Sequence, residues 1–424
     1  MASAHENRAI DEHEEGEDVP EEELFIGDDA AEEVPDDGDA PMDDDDGQGE
    51  GEDGEEEIVW EDNSVMSFPV HEKSVFAVSG HPTQPLAVSG GEDDLGYIWD
   101  ITDGEVIVKL TGHTDSVACT AFSSDGELVA TGGMDGRVRV WRHVGKQDWR
   151  TWEFLTELQG PDEVMWLRWH PKGAVLLAGS NDSTVWLWQL PSGNTMQVFA
   201  GHKGPVTAGD FTPDGKRIVT ACAENTLIYW DPRSPTPVFK LDATDGRFDL
   251  DGITSLAINP ASTLAVVGGA AGGVRVISLT QGKVVTALGS HEEGNSVEAA
   301  VFVNLAAAVT GAGGSAPATA GGGTVVTGAT DGKACVWDLN TNRLRMTLAH
   351  EDSVTSLHVH PTKPHLLVSA SADRNLRTWD VRTGKLIREH KGHNGPILGA
   401  SLGLGGEVVL SAGDDGVCLV FTTE

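Results

Sequence analysis

Along most of this chain, apolar and polar positions alternate in short runs that end in tight-turn signals. "VACTAF", "ELVATGG" and "RVRVW" follow one another, separated by "SSDG" and "MDGR". Period-two alternation of β-branched residues between Asp-Gly signals predicts strands joined by tight turns rather than helices. The pattern also repeats. Within "GHTDSVACTAFSSDGELVATGGMDGRVRVW", the set His113, Thr131, Asp135 and Trp141 recurs as His71/Ser89/Asp93/Trp99 and as His202/Thr220/Glu224/Trp230. It recurs again as His393/Ser411/Asp415/Phe421, and as His350/Ser369/Asp373/Trp379 with one extra residue. His291/Thr327/Asp331/Trp337 fits once an insertion is removed. Two further units keep the strand pattern without the polar set: Ala178/Asp182/Trp188 and Val267/Ala271/Ile277. The count is eight, and each unit reads as four short strands.

A four-stranded unit at this period resembles the WD-repeat family, and the resemblance implies an all-β fold, an eight-bladed β-propeller of four-stranded blades over residues 58–424. Its physical logic is visible in the residues. An indole N–H, a hydroxyl, an imidazole and a carboxylate can form one buried hydrogen-bonded chain that locks neighbouring strands. Units that lack the His also lack the Ser or Thr, as a half-satisfied network would cost more than none. With one histidine per repeat, the rings are too far apart to converge on a metal or a reacting group. The last unit stops at "CLVFTTE" without a fourth strand, while "SVMSFPV" (64–70) precedes His71 as "VIVKLTG" precedes His113. The segment 64–70 is therefore expected to close the ring as the outer strand of the last blade, so that no edge is left unpaired.

Charge changes the picture at one end. Of 68 acidic residues, 29 lie in residues 1–62, where Arg8 is the sole basic residue. Residues 1–57 are expected to form a disordered acidic tail, since such a stretch buries too little surface to offset the entropy of ordering. It either solubilises the protein or attracts a basic partner; like charge argues against direct nucleic-acid binding. "GAGGSAPATAGGG" runs into the strand "TVVTGA" and lacks the helix a dinucleotide site needs, so 304–323 reads as a flexible insertion.

Other chemistry is not signalled. No nucleophile elbow, zinc spacing or calcium-loop register occurs, so no enzyme activity, cofactor or metal is expected. The four cysteines lie far apart, which suits reduced thiols in a cytoplasmic protein, with the nucleus as a second compartment. Neither a signal peptide nor a membrane span is expected. A monomer is expected.

Binding is then the remaining class. On the repeat alignment, three positions per blade point to the face around the central channel: the third and fifth residues after His and the residue before Asp. They give Ser74, Phe76 and Glu92; Ser116, Ala118 and Met134; Glu163, Met165 and Asn181; Ser296, Glu298 and Thr330; and Pro396, Leu398 and Asp414. Nearby loop positions add Asp94, Asp115, Asp162, Asp251 and Asp352. None of the three positions carries Lys or Arg in any blade. The expectation is an acidic face with apolar spots at Phe76, Met134, Met165 and Leu398.

At this point the sequence resembles the angio-associated migratory cell protein family of WD-repeat proteins. The signal lies in "LAVSGGEDDLGYIWD", "GHTDSVACTAFSSDGELVATGGMDG", "WHPKGAVLLAGSNDSTVWLWQLPSGN" and "NSVEAAVF", over about Ile58 to Glu424. The Gly/Ala-rich insertion departs from the family. That family is similar to a fungal assembly chaperone which captures a newly made, basic large-subunit ribosomal protein through its N-terminal segment. The resemblance implies a cationic client docking on the acidic face, with Glu92, Glu163 and Glu298 as its main contacts. The alternative is a scaffold or adaptor in signalling, cell migration or ubiquitin-ligase substrate recognition.

Overall fold

The computed structural model describes residues 61–145, 148–289, 291–305 and 323–424. The acidic segment 1–57 and most of the 304–323 insertion lie outside the described residues. Within the described residues the chain forms eight antiparallel sheets of four strands each. In blades one to seven the strands neighbour one another in chain order, as in Val75–Gly80, Leu86–Gly91, Gly96–Asp100 and Val106–Leu110. The first strand of each blade packs on the first strand of the next, and Ile397–Gly403 of blade eight returns to Val75–Gly80 of blade one. The ring is closed.

The core sits between blades rather than within them. Each apolar cluster joins two neighbouring sheets: Leu128 and Val140 with Leu167 and Trp188, Val219 and Leu227 with Ile253 and Val267, Val88 and Ile98 with Val129 and Trp141. The second strands are covered on both sides, and Leu86–Gly91, Leu128–Gly133 and Leu366–Ser371 are buried at every residue. This is why they read as continuous apolar runs, whereas alternation survives in strands with one wet face. The opposite end of the ring has its own inter-blade contact. The His81 ring lies over Gly126 of the next blade, where an added Cβ would sit 2.2 Å from Nε2; the positive φ of +78° also favours glycine.

Six of the first strands carry a register shift one residue after their start, between Val75/Ala77, Val117/Cys119, Val164/Trp166, Ile253/Ser255, Val354/Ser356 and Ile397/Gly399. A bulge of this kind resets the alternation of side chains. Channel-facing positions therefore fall one and four residues after the strand's buried first residue, instead of one and three.

Blade eight is completed by the other end of the described chain. Met66–Phe68 pairs antiparallel with Cys418–Thr422, with Met66 opposite Val420 and Phe68 opposite Cys418. The strand is three residues long, within the 64–70 stretch, and the Val65 N–H extends it by donating to Val420 at 2.8 Å. Just upstream, Asn63 donates through its backbone to Lys391 and through its side chain to Glu389, while Glu61 pairs with Lys391 at 2.8 Å.

Candidate functional site

The polar chain fixes the loops that form one face of the ring. In blade one, the Trp99 indole donates to Ser89 Oγ (3.3 Å), Ser89 meets His71 Nε2 (2.8 Å), and His71 Nδ1 meets Asp93 (3.0 Å). Because the carboxylate can only accept, Nδ1 carries the proton; in the neutral ring Nε2 then accepts from the hydroxyl, which itself accepts from the indole. Blade seven repeats this through Trp379, Ser369, His350 and Asp373, and adds Arg377 to Asp373 at 2.9 Å. Blade six does so through Trp337, Thr327, His291 and Asp331. Burial holds His71, His113 and His291 below the ordinary histidine value despite their carboxylates, so the rings are neutral. Burial raises the carboxyl of Asp135, yet bonds from Thr114 N–H, His113 and Arg137 N–H outweigh it and hold Asp135 low.

Two blades depart from the expected chain. In blade two, His113 meets Thr131 (2.8 Å) and Asp135 (3.1 Å), but Trp141 donates no hydrogen bond to Thr131 among the described contacts. Its ring instead packs edge-on to Phe154 and beneath the Arg139 guanidinium, 5.8 Å away. In blade four, Trp230 donates to Thr220 and Thr220 meets His202 Nε2, but Glu224 does not reach the ring, and His202 Nδ1 is left buried without a partner among the described residues. Burial, with Lys240 adding to it, pushes this histidine down to about 3.

The face positions are brought together by one repeated backbone bond. The N–H of the residue before Asp donates to the carbonyl of the first aligned face residue of its blade: Glu92 to Ser74, Met134 to Ser116, Asn181 to Glu163, Thr330 to Ser296 and Asp414 to Pro396, all at 2.9–3.0 Å. Asp414 also accepts from Ser74 Oγ at 2.7 Å, joining the last blade to the first. Asp115 and Asp352 accept the N–H groups of Ser116 and Ser353, Asp162 N–H donates to Ser180 Oγ, and Asp94 and Asp251 take left-handed turn conformations.

The charges on this face are not uniform. Glu163 and Glu298 are exposed and make no ion pair among the described residues. Glu92 is paired with Lys73 at 3.5 Å, and Glu292 with Lys333 at 2.6 Å. Each cation reaches its acid from a neighbouring loop, Lys73 lying one residue before the aligned Ser74 and Lys333 three after the aligned Thr330, positions that the three-position alignment does not sample. Met134 and Met165 are exposed at 43% and 41%, whereas Phe76 and Leu398 are half-buried. The apolar spots therefore concentrate on blades two and three.

Below this face, a cavity of about 290 Å³ lies between the first strands of blades three to seven, lined by Glu298, Arg168, Asp210, Thr355, Ser356 and His358 among others. Sequence alignment by the three loop positions misses Arg168, Asp210 and His358. The available signal is the four-residue offset from Val164, Val206 and Val354; for Arg168 and His358 the bulge after Val164 and Val354 makes that offset channel-facing. Arg168 donates to Leu167 O at 3.0 Å and has no carboxylate within ion-pair distance among the described residues. Burial raises the Asp210 carboxyl, opposed by Arg168. Burial and the same guanidinium push His358 down to about 4, so it is neutral. No group of three His, Cys, Asp or Glu side chains among the described residues is placed to hold a metal. No helix among them is long and apolar enough to cross a membrane.

Comparison with known proteins adds to this geometry. The family described as WD domain, G-beta repeat matches residues 62–100, 104–142, 152–189 and 193–231, and that described as Nucleolar protein 10-like, N-terminal domain, matches 234–397. The human angio-associated migratory cell protein is 33% identical over 377 residues, covering 86% of this chain and 81% of that one. The ribosome assembly protein SQT1 of Saccharomyces cerevisiae is 27% identical over 86% of this chain and 88% of its own length. Among solved structures, Chaetomium thermophilum Sqt1 bound to the N-terminus of the ribosomal protein L10 superposes with a TM-score of 0.77 at 29% identity, covering 85% of this chain and all of that one.

Proposed function

The chain belongs to the angio-associated migratory cell protein family of WD-repeat proteins, and from that footing we propose that it is a binding protein that chaperones a ribosomal protein. It captures a cationic N-terminal segment of a large-subunit ribosomal protein on the face built by the histidine-bearing loops. The observation that carries the reading is the pair of exposed, unpaired carboxylates, Glu163 and Glu298, beside the exposed Met134 and Met165. An unpaired carboxylate at a loop tip keeps its full attraction for an incoming cation, whereas Glu92 has to exchange Lys73 for it. The methionines offer an adaptable apolar bed for the segment's non-polar side chains. The solved complex of Chaetomium Sqt1 with the N-terminus of L10 supports a peptide terminus as the ligand class.

Affinity capture from cell extract tests this reading, comparing the full chain with Glu163→Lys/Glu298→Lys. A single basic ribosomal protein in stoichiometric amount, lost in the double variant, is the expected result. Several partners of mixed charge, retained by the variant, would point to a scaffold instead.

A further inference from the structure

The cavity beneath the face holds a set of groups that neither a lysine nor an acidic side chain would satisfy. At its upper level stands Glu298, one residue after the buried Val297. About three residues deeper, roughly 10 Å along the strands, stand Arg168, Asp210 and His358 from three different blades. Arg168 is a donor without an ion pair among the described residues. Asp210 accepts the Phe211 N–H at Oδ1 (2.7 Å) and keeps further acceptor capacity, while neutral His358 has one acceptor nitrogen and its Nε2 lies 3.3 Å from Ser356 Oγ. The Thr355 hydroxyl is buried without a partner on the same wall.

A lysine ammonium carries donors only and would leave Arg168 as an unrelieved like charge. A carboxylate carries acceptors only and would face Asp210 and Glu298. The terminal residue of a peptide carries both: an α-ammonium with three donors and, a few ångströms away, its own carbonyl. A cavity of about 290 Å³ also suits a chain end better than a segment passing through.

We infer that this cavity is a subsite for the free amino terminus of the client, with the α-ammonium at Asp210 and His358 and the first carbonyl accepting from Arg168. The inference rests on the capture reading above. Glu298 then receives a cationic side chain of the next residues, so the two levels together read a terminus followed by positive charge. Burial that leaves the Asp210 carboxylate poorly solvated makes it the group that gains most from an arriving cation.

The test measures binding of a synthetic peptide, the N-terminal segment of ribosomal protein L10, to the full chain in three forms: free amine, N-acetylated, and des-amino. Loss of the ammonium is expected to weaken binding by about tenfold or more in the wild type, and to matter little in Asp210→Asn. Affinity of the free-amine peptide is expected to fall as pH rises through about 7.7–8.0, where an α-amino group loses its proton. The des-amino peptide should show no such fall. Equal affinity of all three peptides, or a flat pH profile for the free amine, would overturn the subsite while leaving capture by the face intact. No binding of any peptide would overturn both.

Discussion

Phe68 lies stacked on Trp99, ring centroids 4.5 Å apart and planes 7° from parallel, although one belongs to the outer strand of blade eight and the other to blade one. Both rings are fully buried. The contact couples ring closure to the polar chain, because Trp99 is also the indole that donates to Ser89. Phe68→Ala is therefore expected to cost about 3–5 kcal/mol, as for other large aromatic truncations in a core. Removal of residues 1–57 leaves this strand in place and should retain a cooperative thermal transition. Removal of 1–70 takes it away and should give aggregation. Indistinguishable melting of the two truncations would show that the outer strand contributes nothing to closure.

The incomplete chain in blade four offers a gain rather than a loss. Shortening Glu224 to Asp gives His202 Nδ1 the partner that Asp93, Asp331 and Asp415 give to their histidines. Glu224→Asp is expected to stabilise the protein by about 1 kcal/mol, the net worth of one hydrogen bond. Asp135→Ala in blade two, by contrast, should cost about 1–3 kcal/mol by stranding His113. Asp182→Ala should cost less, since its bonds are to Thr184 at an exposed turn. Denaturant midpoints decide both comparisons, and an unchanged midpoint in Glu224→Asp would mean that the orphaned nitrogen is already satisfied.

Acid should weaken the fold before the carboxylates titrate. His202 is pushed down to about 3 and His390 to about 4, burial being the main cause in each. These rings stay neutral in the fold, while the unfolded chain takes up protons near its ordinary value of about 6.5. The unfolded state thus binds more protons below that value, and stability falls as pH drops from about 6.5 toward 4. His390→Gln, which retains a group able to face Thr378, should flatten the melting temperature over pH 6.5–5. A slope unchanged by this substitution would assign the acid sensitivity elsewhere.

Reversing charge on the face should separate binding from folding. Glu163→Lys/Glu298→Lys is expected to abolish peptide binding with a melting temperature close to wild type, since both side chains are exposed. Glu92→Lys should have a smaller effect, because Lys73 already offsets that carboxylate. Equal losses for the two variants in a binding titration would indicate a diffuse electrostatic attraction rather than these two contacts.

The repeat count, the strand boundaries and most of the polar chain were legible in the sequence because strand length fixes the spacing of His71, Ser89, Asp93 and Trp99. What was not legible depends on geometry that spacing leaves open. Trp141 has the right offset, yet Arg139 and Phe154 hold its ring otherwise. Glu224 has the right charge and one methylene too many. Lys73 lies next to an aligned position and meets Glu92 because the Glu92 N–H bond to the Ser74 carbonyl brings two loops together. Arg168 and His358 join Asp210 in lining the cavity only after a bulge has moved their alternation by one residue, and no composition or period records a bulge.

The pairing of Met66–Phe68 with Cys418–Thr422 also sets an order of events during synthesis. The strand made first among the described residues is the last to find its partner, because the ribosome must complete seven further blades before residues 418–422 emerge. Until then Met66–Phe68 has no strand to pair with, and the growing chain is an open arc with an apolar face at each end. Such an arc is aggregation-prone by the same burial that later stabilises it. A protein proposed to shelter an unfinished client thus passes through an exposed state of its own, one that ends only when Cys418–Thr422 becomes available to Met66–Phe68.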